Sequence, residues 1–368
     1  MRASSKLPVI FCAPVQVHNW LFTLGSRWKP VQTIPGTGKL IVLSPLIFSG
    51  HYRSEWVFWL NCRLIAWQVS TWLKDAGELA VVCNTPFGWP VIESLPKNPP
   101  SAVVGMYDVI DDFTAFPWSP WFGRELNSKL IKWADVIVTG TGELERQIAE
   151  ERPDVEFVPC GVDFELFHDG DFAEPADMRD IPLPRIGYFG SISDRLDCGL
   201  LSAIAAQNPN ASLVLVGPVH LGMGSLPQGK NIFYLGLKKH HDVPGYVRQF
   251  AVGLIPFVLN DATRKLNPVK TLEYLAAGVP VVSTALPDLV RYFEDVVHVA
   301  HSPQEFLDAV RDAIANGAGA RKELGIERAR EASWDVMTQR MLEKMGLTAA
   351  GEAHGAESAA LDPVEAQP

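Results

Sequence analysis

The sequence predicts an α/β protein made of two doubly wound domains. Three observations support this prediction. The chain has 368 residues with 47% hydrophobic content, enough for two ordinary cores. Short apolar runs alternate with helical patterns, which is typical of βα units and parallel sheets. Finally, residues 158–171 are polar and rich in glycine, and a new βα series follows from Arg185. We therefore predict domains at 1–165 and 166–332.

The strands and helices follow this division in order. In the first half we predict strands at 8–12, 40–43, 79–83, 103–107 and 136–139, with helices between them. In the second half we predict strands at 185–190, 212–217, 231–236, 252–257 and 280–283, and helices at 196–207, 243–250 and 268–277. Amphipathic helices follow at 303–316 and 321–331. A last helix within 333–347 is placed to return to the first domain, and 348–368 is predicted to be a disordered acidic tail.

The helix predicted for residues 54–74 has two different faces. One face carries apolar side chains at helical spacing and is expected in the core: Phe58, Cys62, Ile65, Val69 and Trp72. The other face combines large apolar side chains with positively charged ones: Trp56, Leu60, Arg63, Trp67, Thr71 and Lys74. Either this helix is packed on both sides, or its second face touches anionic lipid headgroups.

Composition limits the partners of the chain. A net charge of −10 and a pI near 5.4 argue against nucleic-acid binding. The first 100 residues are different, with nine Lys or Arg against four Asp or Glu, and nine of the 11 Trp fall within the first 121 residues. Such a surface suits contact with a membrane. Five scattered cysteines, no leader segment and no long apolar run predict a cytoplasmic protein, peripheral on the inner face of the membrane.

The stretch from residue 267 to 283 is the most informative about function. Asn267 suits an N-cap, Pro268 the first helical position and Gly278 the helix stop. A helix beginning there would point its N–H groups at the ligand crevice of a doubly wound sheet. The Lys270 ammonium would then contact a pyrophosphate, and the Glu273 carboxylate would accept hydrogen bonds from the two hydroxyls of a ribose. The alternative is that Lys270 and Glu273 form an ordinary surface pair, three residues apart.

This stretch, Pro268-Val-Lys-Thr-Leu-Glu-Tyr through Gly278-Val-Pro-Val-Val, resembles the donor-binding motif of the family-4-like (group 1) GT-B glycosyltransferases, particularly those that build bacterial exopolysaccharide and teichuronic acid. Other segments agree in order: 107–112, 134–139, 158–163, 187–190 and 215–218. The resemblance implies the GT-B fold, in which two Rossmann-like domains face each other across a deep cleft. It also implies that the C-terminal domain binds the donor, that the N-terminal domain binds the acceptor, and that Glu273 binds ribose.

Two departures from the family pattern concern the donor site. Lys265 stands where the family has a second glutamate near the donor sugar, and the usual Gly-Arg…Lys phosphate pair is absent from residues 191–197. Arg195 is then the replacement cation, or else a helix-start residue paired with Asp197. Further residues are assigned to the nucleotide-sugar site: Gly190, Arg264, Lys265, Val269 and Thr271.

Catalysis is expected from a carboxylate at the end of a strand in the first domain. Asp111 and Asp112 follow the strand predicted at 103–107, and one of them is expected to cap the next turn, with Asp111 preferred as the catalytic residue. His18, after the first strand, is a further candidate. His240 and His241 have no third ligand at metal spacing, so we predict no metal and no cofactor besides the donor.

The function predicted is transfer of a hexose from a nucleotide diphosphate sugar, with a UDP sugar as first choice, to a lipid-linked or saccharide acceptor in bacterial surface polysaccharide synthesis. One alternative is a nucleotide-sugar epimerase or hydrolase on the same fold. Another is a non-catalytic GT-B-like protein that binds a glycan or a partner.

Overall fold

A computed structural model describes residues 9–12, 31–33, 40–43, 45–73, 79–95, 103–116 and 118–347. His18, Lys74 and the acidic tail predicted for 348–368 lie outside these residues. The strands are β1 Val9–Cys12, β2 Val31–Thr33, β3 Leu40–Leu43, β4 Leu79–Cys83, β5 Val103–Val109, β6 Val136–Thr139, β7 Glu156–Phe157, β8 Arg185–Phe189, β9 Ser212–Val216, β10 Ile232–Gly236, β11 Val252–Ile255, β12 Val281–Thr284 and β13 His298–Ala300. The helices are α1 Glu55–Ser70, α2 Trp89–Glu93, α3 Gly123–Trp133, α4 Gly142–Ala149, α5 Phe164–His168, α6 Cys198–Gln207, α7 Val243–Val247, α8 Lys270–Ala276, α9 Pro287–Tyr292, α10 Pro303–Asn316, α11 Arg321–Glu331 and α12 Trp334–Lys344.

The C-terminal domain contains a parallel sheet of six strands in the order β10-β9-β8-β11-β12-β13. Counted from β8, this order is 3-2-1-4-5-6, the order of nucleotide-binding Rossmann domains. Every residue of β8, β9 and β11 is buried, because helices cover both faces of the sheet. The prediction of a second doubly wound domain is confirmed.

The N-terminal half contains two sheets. Strands β4-β5-β6-β7 form a parallel sheet, while β1-β3-β2 form a smaller sheet in which β2 runs antiparallel to β3. The five strands predicted in this half are present, and β2 and β7 are additional. A strand of two or three residues carries too little periodicity to be recognised from sequence.

The start of α8 differs from the prediction, whereas its end agrees. The helix begins at Lys270 rather than at Pro268, because the Pro268 carbonyl accepts the Thr271 N–H in a tight turn (2.9 Å). At the other end, Gly278 has a φ of +70° and its N–H donates to Leu275 O. The next N–H, from Val279, donates to Tyr274 O, which completes a Schellman motif.

Helix α1 buries one face and exposes the other. Phe58, Cys62 and Ile65 are almost fully buried, whereas Trp56 and Trp67 are 73% and 65% exposed. The alternative in which this helix is packed on both sides is therefore wrong. Trp72, predicted to lie in the core, is instead exposed, because α1 ends at Ser70 before reaching it.

The last helix, α12, lies against the first domain. Met337, Leu342 and Met345 pack with Met106 and Val138 of the N-terminal sheet. The chain crosses beside the linker, where the Trp334 N–H donates to Val162 O at 3.0 Å. Within the described ranges, no helix is both long enough and apolar enough to span a bilayer.

Candidate functional site

The strand order of the C-terminal sheet creates a crevice at the carboxyl ends of β8 and β11. These two strands are neighbours, but the chain continues from them to opposite sides of the sheet, and such switch points are where doubly wound domains bind ligands. Lys270, the first residue of α8, reaches this crevice. Its Nζ lies 5.4 Å from the centroid of the Tyr188 ring and 5.0 Å from that of Phe257, which places the ammonium between the two strand ends.

Two glycines let the backbone approach Lys270 closely. Gly190 has a φ of +125°, and a Cβ there would lie 3.3 Å from Lys270 Cε and 3.4 Å from its Nζ. Gly217, after the neighbouring strand β9, has a φ of +145°, and a Cβ there would lie 1.9 Å from the Gly190 carbonyl oxygen. Glycine is therefore required at both strand ends, and backbone groups line the crevice.

The charged groups of α8 are held in an environment that disfavours their charge. Burial lowers the pKa of Lys270 to about 8; the Glu273 carboxylate opposes this shift and the Arg195 guanidinium adds to it. Glu273 is 8% exposed, and burial raises its pKa to about 7 against the effect of Lys270. Perturbed pKa values of this kind are common at functional sites.

Lys270 and Glu273 do not form the surface pair considered as an alternative. Glu273 is buried, and no ion pair joins it to Lys270. Across the described residues, the Glu273 carboxylate accepts no hydrogen bond. A buried carboxylate with no donor is costly unless a ligand supplies one.

The first turn of α8 contains further groups without partners. Thr271 is fully buried, and its Oγ1 has no hydrogen-bond partner in the described structure. Val269 precedes the helix, and its carbonyl accepts the N–H groups of Leu272 and Glu273 at 3.0 and 3.3 Å.

Arg195 reaches the same crevice from the loop that follows β8. Its carbonyl accepts the Val258 N–H at 2.9 Å, which fixes the loop beside the end of β11. Asp197 instead caps α6, accepting the Leu200 N–H at 2.8 Å. The alternative in which Arg195 pairs with Asp197 is therefore wrong; Arg195 is exposed and forms no ion pair with any residue described.

A salt bridge connects the two domains across the cleft. Lys265 Nζ donates to Asp112 Oδ2 at 2.9 Å. Lys265 lies in a short 3₁₀ turn, Thr263–Lys265, which Asn260 stabilises by accepting the Thr263 N–H at 2.9 Å. Arg264 in this turn is exposed. The residue that departs from the family pattern thus contacts the first domain.

The structure separates the two neighbouring aspartates. The Asp111 carboxylate accepts the backbone N–H of Asp112 at 3.0 Å, which is the capping role expected for one of the pair. Asp112 instead faces Lys265 and accepts the Thr114 hydroxyl at 2.9 Å. Burial alone would raise the pKa of Asp112, but the bonds from Lys265 and Thr114 hold it below its usual value. Asp112, rather than the preferred Asp111, reaches the other domain.

Some potentially functional residues were not identified from the sequence. Asp108, near the end of β5, has its pKa raised to about 6 by burial, and it lies close enough to Cys160 to raise the pKa of that thiol. Its place in an apolar strand was the only available signal. Tyr188 and Phe257 appeared to be ordinary core residues of their strands. No group of three or more His, Cys, Asp or Glu suited to a metal occurs in the described part of the chain.

Comparisons with known proteins agree with this architecture. Residues 184–316 match the family described as "Glycosyl transferases group 1". The sequence is 27% identical to the putative teichuronic acid biosynthesis glycosyltransferase TuaH of Bacillus subtilis (strain 168). The aligned region covers 60% of this chain and 58% of that protein. Sucrose-phosphate synthase from Thermosynechococcus elongatus has a similar structure, with a TM-score of 0.66 and 16% identity over 93% of this chain and 89% of that one. A structure described as trehalose-6-phosphate from E. coli bound with UDP-2-fluoro glucose is also similar, with a TM-score of 0.64 and 12% identity over 87% of this chain and 90% of that one.

Proposed function

We propose, from the premise that this chain is a group 1 glycosyltransferase with the GT-B fold, that it transfers a hexose from a UDP sugar to a lipid-linked saccharide acceptor in bacterial surface polysaccharide synthesis. The observation that carries the proposal is the placement of Lys270 and Glu273 at the switch-point crevice, both with perturbed pKa values and without an ion-pair partner among the residues that the structure describes. The name of the Bacillus relative supports the polysaccharide, and the UDP sugar in the E. coli structure supports the donor.

In this proposal the diphosphate lies between Lys270 and the backbone at Gly190, with Arg195 and Arg264 at its exposed side. Glu273 accepts hydrogen bonds from the ribose hydroxyls, and Val269 and Thr271 line the start of the same helix. These cations stabilise the negative charge that develops on the leaving diphosphate. Because protein groups supply that charge, we expect transfer without a metal cofactor, and UDP affinity should be the same with and without EDTA.

The proposed catalytic carboxylate is Asp112. Its pKa lies below the usual value, so it is ionised at neutral pH and suits stabilisation of a positively charged sugar in the transition state. The Lys265 contact must open when the donor sugar enters, because the sugar occupies the cleft between the domains. Asp111 supports the turn that holds Asp112, and His18 remains a candidate contact to the acceptor.

The acceptor side is proposed to face the cytoplasmic membrane surface through the aromatic surface of the first domain, defined by Trp56, Trp67, Trp118 and Trp121. These side chains are between 48% and 79% exposed, and Arg53 and Arg63 lie exposed on and beside α1. Trp118 packs on the exposed Tyr52 ring at 5.6 Å and Trp121 packs on the buried Phe122 ring at 5.6 Å, so neighbouring rings support the surface. Exposed Trp beside Arg favours the interface of an anionic bilayer.

Membrane contact is tested by co-sedimentation with vesicles of phosphatidylglycerol or phosphatidylcholine. We expect binding to the anionic vesicles, and we expect the Trp56→Ser/Trp67→Ser variant to lose most of it. Leu237→Ser, which removes a 75% exposed apolar side chain from the other domain, should bind like wild type. Equal binding of anionic vesicles by wild type and both variants would exclude the aromatic surface as the site of membrane contact.

Donor binding is tested by thermal unfolding with UDP, GDP, dTDP and their sugars, for wild type and Glu273→Ala. A ligand at a hundredfold excess over Kd stabilises the folded protein by about 2.7 kcal/mol, which a melting curve resolves. We expect a shift with UDP and one of its sugars that is reduced in the variant. No shift with any nucleotide would favour the glycan-binding alternative, and turnover of the sugar nucleotide without an acceptor would favour the epimerase or hydrolase.

A further inference from the structure

A buried carboxylate of the C-terminal domain binds the start of a helix in the N-terminal domain. Asp288, in α9, is 3% exposed. Its Oδ1 and Oδ2 accept the N–H of Gly142, the first residue of α4, at 3.2 and 3.1 Å. These atoms belong to residues 146 positions apart in the chain, so the bond forms only when the two domains meet.

The contact is tightly packed around Gly142. A Cβ at this position would lie 3.0 Å from Asp288 Oδ1 and 3.0 Å from the Tyr292 hydroxyl, so both groups would have to shift to accept a side chain. Tyr292 also stacks on Phe157 of the first domain, with ring centroids 4.4 Å apart, and its hydroxyl donates to Glu145 at 3.4 Å. The two helices therefore meet in one defined arrangement.

The start of α4 is linked to the strand ends of the first domain. Gly140, just before α4, donates its N–H to Val109 O at 3.0 Å, which ties this loop to the end of β5. Asp112 lies three residues after that carbonyl. On the other side, Lys265 lies near enough to Glu143 of α4 to contribute to lowering its pKa, after the bond from Arg146. The position of α4 therefore sets where Asp112 stands relative to Lys265.

We propose that Asp288 is a positioning residue for sugar transfer, whose carboxylate holds α4 against α9 so that the Asp112 loop faces the donor crevice in one geometry. This inference rests on the proposed function. Asp288 acts through Gly142 and has no assigned contact with donor or acceptor. Its loss should therefore reduce turnover and leave the affinity for UDP unchanged.

The contact is also expected to respond to pH. Burial raises the pKa of Asp288 to about 6, opposed by the Gly142 N–H and Arg291 and supported by Glu143 and Glu145. Tyr292 lies on the same helix, and the turn holding Arg264 and Lys265 packs against it, with Lys265 paired to Asp112. Separated helices would expose the carboxyl and let its pKa fall. The joined form thus binds the proton more tightly than the separated form, so the association of α4 with α9 is favoured below pH 6 relative to pH 8, although the Gly142 hydrogen bond by itself favours the ionised carboxylate.

The test compares Asp288→Ala, which removes the acceptor, with Asp288→Asn, which keeps an oxygen for the Gly142 N–H and removes the charge. Asp308→Asn, on the exposed surface of α10, is the matched control. Turnover is measured as UDP release from the UDP sugar that gives the largest thermal shift, with total bacterial lipid extract as acceptor source. Amide hydrogen exchange of residues 141–149 reports the contact directly.

For Asp288→Ala we expect kcat to fall by about tenfold, as for a barrier raised by 1.36 kcal/mol. The Kd for UDP should stay unchanged, and exchange at Gly142 should become faster. Asp288→Asn should recover most of the turnover. Its protection of the Gly142 N–H, measured as exchange relative to the intrinsic rate at each pH, should not change between pH 5.5 and 8 as that of wild type does. Wild-type kcat and exchange in Asp288→Ala, or a loss of UDP affinity, would overturn the proposal.

If Asp288→Ala does not fold, Gly142→Ala tests the same contact from the other domain. Its added methyl crowds Asp288 Oδ1 and the Tyr292 hydroxyl, which must shift, and it leaves the carboxylate in the protein. We therefore expect kcat to fall with UDP affinity retained; wild-type kcat would overturn the proposal. Failure of the proposed function is distinguishable, because it appears as absence of UDP binding in wild type. The exchange comparison then still decides whether Asp288 joins the domains.

Discussion

Glu273→Gln should make the free protein more stable at pH 8 while weakening its binding of UDP. The carboxylate is 8% exposed and accepts no hydrogen bond from any described residue, and its pKa is raised from 4.5 to about 7. Since the folded state holds this proton more tightly than the unfolded state, the stability is greatest below pH 4.5. It falls as the pH rises through 7.

The size of this effect follows from the pKa. A rise from 4.5 to about 7 corresponds to a penalty of about 3 kcal/mol for the ionised group above pH 7, at 1.36 kcal/mol per pH unit. The glutamine amide must itself be desolvated, so we expect it to recover about 1–2 kcal/mol. For a domain of this size that is a rise in Tm of about 2–8 °C.

The assay is thermal unfolding of wild type, Glu273→Gln and the exposed control Glu294→Gln at pH 5 and pH 8, each with and without UDP. At pH 5 wild-type Glu273 is protonated, so Glu273→Gln should be no more stable than wild type. At pH 8 Glu273→Gln should be more stable than wild type, and Glu294→Gln should not. Addition of UDP should stabilise wild type more than the variant. The assignment of Glu273 as a carboxylate destabilised by burial in the free protein would be refuted by a Glu273→Gln variant that is less stable than wild type at pH 8. It would also be refuted by a Tm change of the same size at both pH values.

Three further predictions concern the crevice and the cleft. Lys270→Met should weaken UDP binding by at least about tenfold in calorimetry, since a charge-assisted contact to phosphate contributes about 1.5–3 kcal/mol; an unchanged Kd would place the diphosphate elsewhere. Gly190→Ala should lower stability by about 1–3 kcal/mol, because its φ of +125° disfavours a side chain, whereas Gly222→Ala, which has open space, should match wild type in a denaturant titration. Asp112→Asn should reduce UDP release from the bound UDP sugar by about a hundredfold or more, whereas Asp111→Asn, which keeps the turn bond, should retain turnover; the reverse order would restore Asp111 as the catalytic residue.

Much of the fold was predictable because it depends on local periodicity. Five of the six strands of the C-terminal sheet are short apolar runs, and they were located to within two residues of their observed ends, whereas the three-residue edge strand β13 was not predicted. Gly278 was recognised as the stop of α8 because only a residue that tolerates positive φ forms a Schellman motif there. The start of the same helix was misplaced, because the Pro268 carbonyl accepts the Thr271 N–H in a tight turn that no residue type signals.

The candidate site was predictable only in part. Lys270 and Glu273 were identified by spacing and resemblance, but spacing alone could not separate a buried, unpartnered carboxylate from one in an exposed pair. Asp111 and Asp112 are chemically identical neighbours, and only the position of Lys265, 153 residues away from Asp112, distinguishes them. Asp288 carried no signal because its partner is a backbone N–H in the other domain.

By itself the sequence determined two α/β domains, five strands of the C-terminal sheet and the end of helix α8 at Gly278, because each follows from patterns among residues near in the chain. The tertiary structure alone decided which aspartate faces the cleft, that Glu273 accepts no hydrogen bond from any described residue, and that Asp288 joins the domains. Those features depend on how two separately folded units pack, and the free energy of that packing comes from contacts between residues more than 100 positions apart.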